Sequence, residues 1–152
     1  MGTTIKTKPF GEIEVLDEQI IEFTEGILGF DAVKKFAVLE DDKSPFLWLQ
    51  AFDEPDLAFV MISPLEFLDE YSLVISQQDI DDVGASSPEE LAVYAIVTIP
   101  SDNPSSMTAN LQGPVIINPA TRKGKQAISL SDKYRVRHSI LEEMKKRAKK
   151  EV

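Results

Sequence analysis

Phe46-Leu47-Trp48-Leu49-Gln50-Ala51-Phe52-Asp53-Glu54-Pro55-Asp56-Leu57-Ala58-Phe59-Val60-Met61-Ile62 sets two apolar runs on either side of a short acidic loop that carries a proline. In the first run Phe46, Trp48 and Gln50 share one face, while Leu47, Leu49 and Ala51 share the other. Asp53 to Asp56 supplies turn chemistry, and Leu57 to Ile62 is again rich in residues that favour extended chain. Two such runs joined by four turn residues predict an antiparallel hairpin.

Working outward, the same signals recur. Gly11 to Val15 alternates, Gln19 to Phe23 follows, and Lys35 to Leu39 is a compact apolar run closed by the polar turn Glu40-Asp41-Asp42-Lys43-Ser44-Pro45. Further strands are expected at Leu73–Ser76, Leu91–Ile99, Thr108–Leu111, Val115–Ile117 and Gln126–Leu130. In the longest of these, Leu91, Val93, Ala95, Val97 and Ile99 face one way. Gln77–Val83 and Ser87-Pro88-Glu89-Glu90 read as single helical turns, the latter a capping box with proline at the first helical position. Pro100 to Ser106 is an exposed loop. Ser139-Ile140-Leu141-Glu142 opens a C-terminal helix, with Glu142 and Glu143 in its first turn and Lys145 to Lys150 towards its end, as the helix dipole favours. Ile140, Leu141, Met144 and Ala148 give that helix a narrow apolar stripe. Many short strands with turns between them predict a mainly β chain: an antiparallel β-barrel-like or sandwich domain over 1–138, with a helix over 139–152 belonging to the same single domain.

The chain has 152 residues, 43% of them hydrophobic, enough for one core that removes roughly 70% of the unfolded surface from water. No apolar run reaches the ~18 residues of a membrane helix, and Met1-Gly2-Thr3-Thr4-Ile5-Lys6 lacks the apolar region of an export leader. Cysteine is absent, which excludes disulfides, thiolate zinc sites and thiol catalysis and fits a cytoplasmic protein. The net charge of −10 is unevenly spread: residues 1–118 hold 5 Lys/Arg against 22 Asp/Glu, a net −17, and residues 119–152 hold 11 against 4, a net +7. The acidic part keeps the protein soluble, repels phosphates and steers basic protein partners towards it.

Candidates for chemistry are few. His138 is the one histidine and lies in Arg135-Val136-Arg137-His138, beside two arginines that provide no orienting carboxylate; it reads as a surface residue near the helix cap. Gly124-Lys125 does not complete a P-loop, because Pro119 stands where the first glycine belongs and Gln126 where Ser/Thr belongs. The carboxylate groups Asp41/Asp42, Asp53/Asp56, Asp69/Glu70 and Asp79/Asp81/Asp82 fall in expected turns, where carboxylates are solvated. No catalytic residue, cofactor or metal is expected. The basic segments Arg122-Lys123-Gly124-Lys125 and Lys133-Tyr134-Arg135-Val136-Arg137 raise an alternative, RNA binding with Tyr134 stacking on a base, set against pairing with the acidic body. Thr24-Glu25-Gly26-Ile27-Leu28-Gly29-Phe30 uses two glycines to present Ile27, Leu28 and Phe30 from a constrained loop, with Phe30 the favoured core plug.

Taken in order, Phe23-x-x-Gly26-Ile27-x-Gly29-Phe30, Phe46-Leu47-Trp48-Leu49-Gln50, Leu57-Ala58-Phe59 leading to Pro64, Val97-Thr98-Ile99-Pro100, Asn110-Leu111…Pro114…Ile117-Asn118, Gln126, and Tyr134 with Arg137-His138 resemble the bacterial flagellar assembly factor family, FliW. The resemblance runs over nearly the whole chain and departs at Thr24 and Leu28, where prolines are expected, and at Gln112-Gly113. It implies a β-barrel-like cytoplasmic regulator without catalytic activity. Such a regulator binds flagellin before export and alternatively binds and antagonises CsrA, the RNA-binding translational repressor of flagellin. It also implies no direct nucleic-acid or membrane contact, and a chain that is monomeric alone. From charge and expected exposure, the candidate partner-binding residues are Glu25, Ile27, Leu28, Asp31, Asp53, Glu54 and Asp56, on the two acidic loops.

Overall fold

The computed structural model describes residues 2–40 and 43–150. Ten strands and two helices follow the chain. They are β1 (Gly2–Thr7), β2 (Gly11–Leu16), β3 (Ile20–Glu22), β4 (Lys35–Glu40), β5 (Phe46–Ala51), β6 (Ala58–Ile62), α1 (Gln77–Asp82), β7 (Ala92–Thr98), β8 (Thr108–Asn118), β9 (Lys123–Gln126), β10 (His138–Ser139) and α2 (Ile140–Lys150). Short 3-10 turns occupy Asp17–Gln19, Pro64–Glu66, Pro88–Glu90 and Pro104–Ser106.

Strands β3 to β9 close into a seven-stranded barrel, since β8 pairs with both β7 and β9 and β9 returns to β3. The expected hairpin is the β5–β6 pair, with Leu49 opposite Phe59 and Trp48 opposite Val60. Every pairing in the barrel is antiparallel except β3–β9, a parallel contact registered at Glu22 and Lys123. Closure removes the free sheet edges that an open sandwich would expose.

Alternation decides what fills the inside. Phe23, Phe36, Leu49, Ala51, Met61, Val115 and Ile117 turn inward and form one buried cluster, with the Phe23 and Phe36 rings edge-on at 5.2 Å. The outward positions are apolar too, because other elements cover them. Ile62, Ala95, Val97, Ala109 and Leu111 lie under Phe67 and under Ile140 of α2. Ile116 lies under Ile80 and Val83 of α1. Ala37, Leu39 and Trp48 lie under Ile5 and Val15 of the β1–β2 hairpin. Burying one such aliphatic or aromatic side chain is worth about 2 kcal/mol, so each cover is fastened by only a few residues.

Several expectations are corrected. β1 is an addition to the expected strands; Thr3, Ile5 and Thr7 share its inward face, where Ile5 and Thr7 are buried. Leu73–Ser76 is not a strand, because among the described residues its backbone makes one bond to another segment, Leu130 N–H to the Val74 carbonyl at 2.8 Å, and the Ser76 carbonyl already accepts from Ile80 in α1. Thr108–Leu111 and Val115–Ile117 are one continuous strand, since Asn110 Oδ1 accepts from the Gln112 and Gly113 N–H groups and carries the chain through the irregular middle. The strand expected at Gln126–Leu130 starts and ends earlier, at Lys123–Gln126. Asp41 and Asp42 of the Glu40–Pro45 turn, and the last two residues of the expected terminal helix, lie outside the described residues.

Candidate functional site

The connection from β3 to β4, residues 23–34, is bent by Gly26 and Gly29, both with positive φ (68° and 88°), a region that costs other residues strain. Phe30 N–H donates to the Ile27 carbonyl at 2.6 Å and tightens the turn. This geometry decides which apolar residue goes in. Ile27 is 2% exposed and plugs the barrel, whereas Leu28 is 88% exposed and Phe30 43% exposed. Both expectations for the loop's ends are therefore reversed. Ile27, expected as a partner contact, is a core residue that supports the loop from below. Phe30, expected as the plug, lies outside with its ring edge-on to Phe59 at 5.2 Å.

Two braces hold the loop. Leu28 N–H donates to Gln126 Oε1 at 3.0 Å, and Gln126 Nε2 donates to the Gly113 carbonyl at 3.1 Å, so one side chain ties the loop to β8. Lys125, beside it, reaches three carboxylates: Asp82 at 2.6 Å, Asp79 at 2.8 Å and Glu25 at 2.9 Å. Burial opposes the Lys125 charge, but the hydrogen bonds it donates to Asp79, Asp82 and Glu25 outweigh it and raise its pKa above the ordinary lysine range. Asp82 is held below its ordinary value by Lys125 and by Gln78. Asp79 and Asp82 are thus not solvated turn carboxylates, as expected, but ligands of an ammonium on the opposite element.

Beside the braced loop is a cleft of about 320 Å³ lined by Leu28, Ile128, Val136, Asn110, Gln112 and Gln126 among others. Its apolar walls are exposed, Ile128 by 70% and Val136 by half. Single exposed apolar side chains need no explanation, but three lining one cleft mark a contact surface. Neither Ile128 nor Val136 was anticipated as a site residue. The available signal was their size among the polar residues of 126–137.

The other expected contacts, Asp53, Glu54 and Asp56, are exposed in the β5–β6 connection. Inside it Gln50 is buried, and its Nε2 lies 3.1 to 3.3 Å from the carbonyls of Ala51, Glu54, Pro55 and Leu57, which fixes the loop shape. The β3–β4 and β5–β6 connections fall at the same end of the barrel, as alternate connections of a meander must. Glu25, Leu28 and Asp31 are therefore at that end with Asp53, Glu54 and Asp56, all exposed.

His138 is corrected as well. It is largely buried against Phe67, with rings 6.3 Å apart, and its Nε2 lies 3.1 Å from Glu143 Oε1, so a carboxylate does orient it. This pair fastens the start of α2. Burial pushes the Glu143 pKa up, but the bonds to His138 and Lys146 prevail and leave it lowered.

A closed antiparallel barrel that fixes one glycine-bent loop over an apolar cleft defines a small β-barrel protein with a preset contact face. Comparison with known proteins gives the family. The family model described as FliW protein matches residues 4–140. A flagellar assembly factor FliW from Leptospira biflexa is 44% identical over 153 residues, covering 100% of each chain, and one from Leptospira interrogans serovar Lai is 48% identical over 143 residues, covering 93% and 95%. A crystal structure of the flagellar assembly factor FliW superposes with a TM-score of 0.82 at 33% identity, covering 91% of this chain and 96% of that one. The chain belongs to the FliW family.

Proposed function

We propose that this protein is a flagellar assembly factor that works by contact and not by turnover. It binds flagellin in the cytoplasm and alternatively binds and antagonises the translational repressor CsrA, so that release of one partner frees the protein for the other. Relative affinities and concentrations set that exchange by mass action. Family membership supports the assembly role, and the −17 charge on residues 1–118 suits a partner basic enough to bind RNA. The observation that carries the contact reading is Leu28, 88% exposed on a loop pinned from both sides. A rigid loop loses little entropy when it docks, so its apolar tip adds affinity at small cost. The partner-binding residues proposed are Glu25, Leu28 and Asp31 with Asp53, Glu54 and Asp56, supported on the buried Ile27.

Titration of the purified, monomeric chain with purified flagellin and with purified CsrA tests the reading. Each is expected to bind alone and to be displaced by the other, with Leu28→Glu weakening at least one complex by roughly tenfold, equivalent to about 1.4 kcal/mol. Affinity for CsrA is expected to fall as salt is raised. Failure to bind either protein removes the proposal, and undiminished CsrA binding after charge reversal at Asp53, Glu54 and Asp56 removes that loop from it.

A further inference from the structure

Val136 faces the apolar cleft, and the arginines on either side of it face another. Lys133, Arg135 and Arg137 line a second cleft of about 260 Å³ together with His138, Ser139 and Glu142 among others. We infer that the two clefts form one interaction surface, which takes a segment of a partner protein whose apolar anchor is flanked by aspartate or glutamate. This does not depend on the partner identities proposed above.

The second cleft is marked by its charge. Three cations of the basic end are used internally: Lys125 by three carboxylates, Lys146 by Glu143, and Arg147 by Asp69 together with the Leu65 and Glu66 carbonyls. Lys133, Arg135 and Arg137 have no carboxylate within 4.0 Å among the described residues, and all three are exposed. On a chain of net charge −10, three unpaired cations gathered on one cleft are a local reversal of sign. Arginine presents a planar fork of donors that matches a carboxylate.

Nucleic acid fits less well. Tyr134, the aromatic of the basic segment, is packed on Tyr71 with rings 4.8 Å apart, and its hydroxyl accepts from the Ser72 N–H at 2.9 Å. Glu142 lines the same cleft and repels a phosphate chain. A peptide needs no stacking platform, and its few carboxylates can be spaced away from Glu142, which a continuous phosphate chain cannot do. Its carboxylates meet the arginines singly, and its apolar residue enters between Leu28, Ile128 and Val136.

A displayed random-peptide library, selected in parallel against the full chain and its Arg135→Glu/Arg137→Glu variant, tests this. Both arginine side chains are exposed outside any internal hydrogen bond, so the variant is expected to keep the thermal midpoint of the parent. Peptides enriched on the parent are expected to place Asp or Glu beside Leu, Ile or Phe. Resynthesised, they should bind the parent at least roughly tenfold more tightly than the variant. Val136→Asp should weaken them similarly, and added salt should narrow the difference. Enrichment of neutral or basic peptides, equal affinity for the variant, or no enrichment at all overturns the inference. So does a labelled single-stranded RNA that binds the parent more tightly than any peptide and loses that binding in the variant.

Discussion

Gly124 lies against the Phe23 ring so closely that a β-carbon built on it falls 2.7 Å from two ring carbons and 3.0 Å from Ile21 Cγ2. The ring is fully buried at the place where β9 returns to β3, and has nowhere to move.

Gly124→Ala is therefore expected to destabilise the protein by about 2 kcal/mol, within the range for overpacking. In a domain of this size that lowers the melting temperature by roughly 4–8 °C. Phe23→Leu should cost less in the Gly124→Ala background than alone, because the smaller side chain makes room. Additive losses in denaturant titrations of the double-mutant cycle contradict the contact.

Gly26 and Gly29 separate strain from crowding. A β-carbon at Gly29 meets open space, while one at Gly26 falls 2.5 Å from the Asp31 backbone, at a similar positive φ. Gly29→Ala should cost about 1 kcal/mol through backbone strain alone, and Gly26→Ala roughly 3 kcal/mol through strain plus displacement of the loop. Equal losses by chemical denaturation mean that crowding at Gly26 is relieved without cost.

Lys125 gives the protein a signed pH response. The Asp82 pKa is lowered from 3.8, so its contribution to stability is complete above that unfolded value and disappears as pH falls through the lower folded value. The Lys125 pKa is raised from 10.5, so its contribution is complete below that value and is lost only as pH rises through the higher folded one. Lys125→Met leaves Asp79 and Asp82 without their cation. It should cost about 2 kcal/mol at neutral pH, less than for a fully buried pair because Glu25 remains solvated. The deficit against the parent should shrink below pH 4, as the parent loses the contribution of its Asp82 pair. A deficit constant from pH 7 to pH 3 in denaturation midpoints contradicts the pairing.

Ile140 fastens α2. It is fully buried beside Phe67 and Leu111, and its truncation to alanine should cost about 3 kcal/mol. Hydrogen exchange should then rise first in α2 and in β10, which are held by two registered pairs to β8 and by the His138–Glu143 bond. Uniform acceleration across the barrel is the opposing result.

How much of this could be read from sequence differs by element. The β5–β6 hairpin was plain because alternation and the Asp53–Asp56 turn agree. Leu73–Ser76 has strand composition but, among the described residues, one backbone bond beyond the one to α1, and composition does not reveal whether a pairing strand exists. β1 escaped notice because three threonines and one buried isoleucine carry little periodic signal. In the 24–30 loop the glycines announced a tight turn, yet the choice between Ile27 and Phe30 as plug depends on its hand, fixed by the positive φ at Gly26 and Gly29. The Lys125 knot joins residues 25, 79, 82 and 125, brought together by the return of β9 to β3 and by the packing of α1 on the barrel wall.

That closure has a mechanical side. The parallel contact at Glu22 and Lys123 is the shortest seam of the cylinder, and further along β9 Lys125 and Gln126 bridge across it to Glu25 and Leu28. Load applied at the Leu28 tip is thus borne directly by the zip that keeps the cylinder shut, and whatever seats itself there acts as an external clasp on it.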